Sequence, residues 1–407
     1  MLNNIKSNLV LKIVFRHLKK RKKLPILKYN KNLKNKLKIQ LKDYQEYLSL
    51  KAFNEKYQTK FENTNIEKLK IVGEYHHPLI DDEGLKDIIK MEFTELKELI
   101  LSHNKITDLE PLLNMKFEKL EVLTLSDLNE FRRRLKTKKP KKEIKPLNLS
   151  IIKKIQFPNL NVLNLSGNNG IDITSLENIN FNKLKELYLR SIGIQNLEFL
   201  SNFKFSKLEK LELSGNSLKS INGLDQMNLD NLKYLYLSSN QISDFKVFEN
   251  INFENLLELD LSWNHLLDIT FFVKCKFPKL EHLSLNRCGI ITIAVLEKVS
   301  FDNLKELDLE YNEILDITIL EKIKFEKIEK INLRHNIIQN ITVLKNLDLE
   351  NLKHLDLSYN NIMNISVLDN LKLEKLDSLD ISFNVNNKKI NKNLISKLKS
   401  KYANFNY

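Results

Sequence analysis

Cysteine is nearly missing from this chain. Cys275 and Cys288 are the only two in 407 residues, so no disulfide framework can be built, and the scarcity points to a reducing compartment, the cytoplasm or the nucleus. Glycine is scarce too, with eight in the whole chain, which leaves little material for a phosphate-cradling loop. There is no Gly-x-Ser-x-Gly elbow, no His-Glu-x-x-His pair and no paired-cysteine zinc spacing. We therefore expect no catalytic residue, no metal and no cofactor. Long apolar runs are also lacking. The stretch Leu9–Phe15 is broken by Lys12, has no small-residue cleavage site and falls far short of the ~20 residues that span a bilayer. Neither a signal peptide nor a membrane span is expected.

Basic charge is abundant, but it is not spread evenly. The net charge is +14, and residues 1–60 alone hold 17 Lys or Arg against three acids. The stretch Phe131–Lys145 holds nine basic residues against Glu143, a further +8, which leaves the rest of the chain at −8. The run Arg132-Arg133-Arg134-Leu135-Lys136-Thr137-Lys138-Lys139-Pro140-Lys141-Lys142 has no helical period. It reads as a nuclear-import address, a nucleic-acid contact or a solvated loop, and Lys19–Lys23 allows the same three readings.

The acidic remainder is periodic. Leu352-Lys353-His354-Leu355-Asp356-Leu357-Ser358-Tyr359-Asn360 follows the pattern Leu-x-x-Leu-x-Leu-x-x-Asn, and the pattern returns every 24 residues. Its first position falls at Leu96, Leu120, Leu160, Leu184, Leu208, Leu232, Leu256, Leu280, Leu304, Ile328, Leu352 and Leu376. One interval, from Leu120 to Leu160, is 40 residues: a repeat plus a 16-residue insertion at about 129–145. A fixed period in this range marks a solenoid. The strand signature resembles the leucine-rich repeat family. The run Asn312–Leu320 resembles its internalin-like and phosphatase-regulator-like branches, whose repeats are slightly shorter.

The resemblance implies an α/β solenoid: a parallel β-sheet on the concave face, short helical or 3-10 segments on the convex face, and helical caps. Residues 61–95 hold a degenerate first repeat around Ile66, Leu69 and Ile71, twelve repeats occupy 96–384, and 385–407 cap the end through an amphipathic helix at Asn391–Tyr402. Position nine is Asn except at Leu128, Ile192 and Cys288, which predicts a ladder of buried, hydrogen-bonded amides with Cys288 as a small substitute. A second column, from Phe93 and Phe117 to Phe301 and Phe325, shares the period and predicts a spine of packed rings.

Residues 1–60 read as a basic helical module. Leu9, Leu11, Ile13, Phe15 and Leu18, followed by Leu24 and Leu27, resemble an F-box. That resemblance implies a ubiquitin-ligase adaptor as a partner of those residues. The same stretch also reads as an amphipathic cap over the open end of the solenoid.

Function should lie where the repeats differ. Between the second and third leucines the C-terminal half carries Asp260, Asp308, Asp356 and Asp380, and just before the ladder residue it carries Trp263, Arg287, Tyr311, His335, Tyr359 and Phe383. Tyr234 and Tyr236 precede them. Carboxylates beside aromatic anchors are what a basic, partly apolar protein segment would bind. The other reading is that the rings merely pack on one another. His282, His335 and His354 fall on the concave face in different repeats, with no spacing that would fix a metal. The expectation is a non-catalytic interaction scaffold; the alternative is a nucleic-acid or anionic-surface tether working through the two basic segments.

Overall fold

The computed structural model describes residues 51–57, 66–73, 79–128 except 92 and 94, 147–384 except 177, 178, 180, 204, 267, 348, 372 and 373, and 392–407 except 403. The candidate adaptor residues Leu9, Leu11, Ile13, Phe15, Leu18, Leu24 and Leu27, and the basic insertion, lie outside the described residues.

Alternating leucines make each repeat a three-residue strand with its middle residue turned inward. The strands are β1 (Lys68–Lys70), β2 (Glu98–Ile100), β3 (Val122–Thr124), β4 (Val162–Asn164), β5 (Glu186–Tyr188), β6 (Lys210–Glu212) and β7 (Tyr234–Tyr236). They continue as β8 (Glu258–Asp260), β9 (His282–Ser284), β10 (Glu306–Asp308), β11 (Lys330–Asn332), β12 (His354–Asp356), β13 (Ser378–Asp380) and β14 (Asn404–Asn406). All fourteen form one parallel sheet in chain order. The insertion does not disturb it: Leu123 pairs in register with Leu163, and Asn168 Oδ1 accepts the Leu128 N–H across the gap at 2.9 Å. Opposite the sheet run short 3-10 turns such as Glu110–Asn114 and Thr318–Lys322.

Two periodic columns hold the stack together. In the ladder, Asn336 Nδ2 donates to the carbonyls of Leu309 and Leu333, while its Oδ1 accepts the Ile314 N–H; Asn240, Asn264, Asn312 and Asn360 repeat the arrangement. Each amide satisfies buried backbone groups of two repeats at once, so a lone repeat leaves them unpaired. Cys288 stands in as the sequence suggests, its Sγ 3.4 Å from the Leu261 carbonyl. The phenylalanine column is buried throughout, from Phe93 to Phe325, with ring centroids 5.5 Å apart at Phe117–Phe157 and 5.4 Å at Phe253–Phe277.

Helices pack near both ends of the stack. At the first, residues 51–57, labelled α1, form the one described part of the N-terminal module and are helical. Phe53 and Tyr57 are buried. Lys56 and Tyr57 both donate to Asp87 on α2 (Asp82–Ile89), each at 2.8 Å. Burial alone would raise the Asp87 carboxyl, but the hydrogen bonds from Lys56, Tyr57 and Lys90 hold it down to about 2. A further helix, α3 (Ser150–Lys154), replaces the 3-10 turn after the insertion.

At the far end α4 (Lys392–Lys401) buries Leu398, and the following Tyr402 donates to the Leu368 carbonyl. Two features of this cap go beyond the amphipathic helix expected from the sequence. The helix lysines do more than face solvent: Lys397 pairs with Asp369 at 2.7 Å, and Lys401 donates to the Asp369 and Leu371 carbonyls. The chain then adds β14, which covers the edge of β13 and which the repeat pattern does not reveal.

Candidate interaction surface

Strand alternation fixes which residues face out of the sheet: the first and third of each strand. On β8–β13 these positions hold six carboxylates, Glu258, Asp260, Glu306, Asp308, Asp356 and Asp380, against the single ammonium of Lys330. On β2–β7 they hold three, Glu98, Glu186 and Glu212, against Lys210. The C-terminal strands also enclose a recess of about 380 Å³ bounded by Glu258, Asp260, His282, Ser284, Glu306 and Asp308. Burial in this recess pushes the Asp308 carboxyl above its ordinary value. Glu306 behaves oppositely. Burial opposes its charge, but Lys330 and His282 hydrogen-bond to it, and its carboxyl is held below the usual range.

Each aspartate of the column also does a local task. Oδ1 accepts the backbone N–H two residues on: Asp260 from Ser262 at 2.9 Å, Asp308 from Glu310 at 3.0 Å, Asp356 from Ser358 at 2.9 Å and Asp380 from Ser382 at 2.8 Å. This turn explains why the site favours a short polar side chain. It does not explain the charge, because Asn164 and Asn332 make the same bond at 3.0 and 3.1 Å.

The ring column follows one residue after that turn, where the chain reverses in the left-handed region. Trp263, Arg287, Tyr311, His335, Tyr359 and Phe383 all have φ between 52° and 58°. Earlier repeats fill the same position with Gly167, Ser191, Gly215 and Ser239, which suit positive φ or add little bulk. Large rings there are uncommon and strained.

The rings offset that strain by stacking. Tyr311 and His335 lie 3.9 Å apart, His335 and Tyr359 4.1 Å, and Tyr359 and Phe383 4.3 Å, all nearly parallel. The Arg287 guanidinium is sandwiched at 4.2 Å from Trp263 and 3.7 Å from Tyr311. Interior members thus present edges rather than faces. Trp263 and Phe383, at the two ends, remain 52% and 66% exposed. Burial, with Arg334 and Arg287 nearby, lowers the His335 pKa below its ordinary value, so the stacked imidazole is neutral at pH 7.

Tyr234 and Tyr236 sit elsewhere on the face, one strand before this cluster. With Tyr188 they surround Lys210, whose Nζ lies 5.7, 4.9 and 5.1 Å from the respective ring centres. Tyr236 donates to Glu258 at 2.9 Å, tying this group to the acidic strands. Lys210 and Tyr188 escaped the sequence reading, although their outward placement on neighbouring strands was a usable signal. So did Arg334, which pairs with Glu310 at 3.2 Å and lies 4.5 Å from the Tyr359 ring. Its column holds serine in most repeats, and a large charged residue there was the clue.

Both cysteines are buried, and burial pushes each thiol up to about 12, which leaves them without nucleophilic thiolate at pH 7. Among the described residues no three His, Cys, Asp or Glu side chains are grouped so as to hold a metal ion, and no helix is long and apolar enough to cross a membrane.

A parallel sheet of stacked Leu-x-x-Leu-x-Leu-x-x-Asn strands with an amide ladder defines a leucine-rich-repeat solenoid. Comparison with known proteins agrees. Residues 206–250 match the family described as leucine rich repeats in two copies, and residues 94–109 and 348–364 match a single leucine rich repeat. An internalin from Listeria monocytogenes superposes with a TM-score of 0.54 at 22% identity, covering 88% of this chain and 87% of its own. A leucine-rich-repeat protein from Leptospira interrogans does so with a TM-score of 0.51 at 24% identity, covering 84% and 90%. No curated protein matches the sequence. The chain has the leucine-rich-repeat fold and carries matching repeats, similar to those of the internalin-like solenoids.

Proposed function

We propose that this protein is a non-catalytic binding scaffold whose concave face over β8–β13 holds a basic, partly apolar segment of a protein partner. The observation that supports this most is the choice of Asp over Asn. The turn is served equally by either residue, yet the C-terminal strands carry Asp260, Asp308, Asp356 and Asp380. Like charges on adjacent strands, such as Asp356 opposite Asp380, oppose folding, and a cationic partner offsets them. The same charge disfavours a nucleic acid on this face.

The test is affinity capture with the full chain and with a variant in which all four aspartates become asparagine. That variant keeps every turn bond. The expected result is that partners held by the wild type are lost, with affinity lower by about tenfold or more. Unchanged capture would contradict the proposal. The finer reading, a substrate receptor of a ubiquitin ligase, rests on residues 5–37, and point changes such as Phe15→Asp in the full chain test it. Truncation at residue 60 would instead strip Phe53 and Tyr57 from α2. An adaptor and cullin recovered with the wild type but not with that variant would support the receptor reading.

A further inference from the structure

The ring stack stops abruptly at Trp263, and what lies beyond it is a gap with the same backbone. Arg287 covers one indole face at 4.2 Å, yet the side chain is still 52% exposed. Toward the N-terminus the next positions of the column are Ser239, Gly215, Ser191 and Gly167, every one in the left-handed region, with φ of 55°, 68°, 54° and 76°. The turn therefore continues in register while the side chains that would fill it do not. The result is a short shelf over the exposed Ser239, closed at one end by Trp263; farther on, the Ser191 hydroxyl lies against Gly215 and the Asp127 carboxylate against Gly167.

The molecule itself shows which group such a shelf accepts. In the occupied half of the column a guanidinium lies between Trp263 and Tyr311, planar group on planar ring. The bank of the shelf has matching charge. Across β5–β8 the outward residues include Glu186, Glu212, Glu258 and Asp260, and the one ammonium among them, Lys210, is already enclosed by three tyrosine rings. Glu212 and Asp260 each use one oxygen for the local turn.

We propose that an arginine side chain of the protein partner stacks on the free face of Trp263, over Ser239, with the Asp260 and Glu212 carboxylates beside it. This rests on the reading that the concave face binds a basic segment, and it adds a selectivity: arginine over lysine. An ammonium carries the same charge but has no plane to stack.

Trp263 is the only tryptophan in the chain, so it reports on its own site. The experiment titrates the full chain, at low salt, with acetyl-Arg-Gly-Arg-amide and with acetyl-Lys-Gly-Lys-amide while following tryptophan emission. The expected result is a saturable change with the arginine peptide at about tenfold lower concentration than with the lysine peptide. Ser239→Phe, which adds one more ring to the stack and leaves Trp263 in place, should abolish the difference without unfolding the chain. Equal affinities for the two peptides, unaffected by Ser239→Phe, would overturn the stacking proposal and leave the acidic-face reading standing. If neither peptide binds, both fall. If Arg132→Gln, Arg133→Gln and Arg134→Gln together shift the emission of the free chain as loss of a ligand would, the shelf belongs to the chain's own insertion, and the partner arginine is overturned.

Discussion

The two halves of the solenoid are built on one backbone and carry different surfaces. From β2 to β7 the left-handed position is filled mostly by glycine, serine or aspartate, and the outward strand residues hold three carboxylates and one lysine. From β8 to β13 the same position holds Trp, Arg, Tyr, His, Tyr and Phe, and the outward residues hold six carboxylates and one lysine. Ladder, spine and register are common to both. The fold therefore requires only the inward residues and the turn, and the second half carries its rings and carboxylates at a cost in strain and repulsion.

The largest expected effect tests what the halves share. Asn240→Ala and Asn336→Ala should each lower stability by about 3 kcal/mol, since either removes two hydrogen bonds to buried carbonyls, each of which keeps one neighbouring amide, and leaves a buried N–H without a partner. Urea unfolding of both variants should give similar losses. A large difference would mean the halves do not share one stabilising scheme.

Next comes the charge. Replacing Asp260, Asp308, Asp356 and Asp380 with asparagine should leave stability unchanged or raised, read by the same unfolding curves, although binding is lost. A marked loss of stability would show that the carboxylates serve the fold.

A smaller effect belongs to the ring column. Tyr311→Gly removes stacking on Arg287 and His335 but relieves the Cβ clash at φ 54°, and the two terms, each about 1 kcal/mol, nearly cancel. Thermal unfolding should move little. At Gly167, by contrast, φ is 76° and an added Cβ would collide with the Asp127 carboxylate, so Gly167→Ala should be the more damaging change.

The halves should also separate on acidification. The Asp87 carboxyl is at about 2 when folded against an ordinary 3.8, so its contribution is present above pH 4 and is lost as pH falls toward 2. His335 is lowered from 6.5, so the folded state binds the proton less well than the unfolded one, and its stability is lost as pH falls below that value. Trp263 emission should change first, and protection of the α1–α2 contact by hydrogen exchange should fail only in stronger acid.

Much of this was legible in the sequence, and the reasons are local. The 24-residue leucine period gives the strands, the ladder and the spine directly, since each depends on which residue recurs. The aspartate turn and the left-handed position were not read from the sequence, although Asp260-x-Ser262, Asp356-x-Ser358 and Asp380-x-Ser382, and Gly167 and Gly215 in the column of the rings, carried the signal. The face-to-face stacking was not legible, because spacing says that rings neighbour one another and not how their planes turn. β14 was hidden for another reason: Asn404-Phe405-Asn406 has one apolar residue and lies off the 24-residue register, with Phe405 opposite Leu379.

Whether the partner lies on the acidic strands is read by carboxylate footprinting of the chain with and without its captured partner. Asp260, Asp308, Asp356 and Asp380 should be protected, with Glu98 and Glu186 labelled as before. Protection of Glu98 and Glu186 instead, or of none of the six, would contradict this placement.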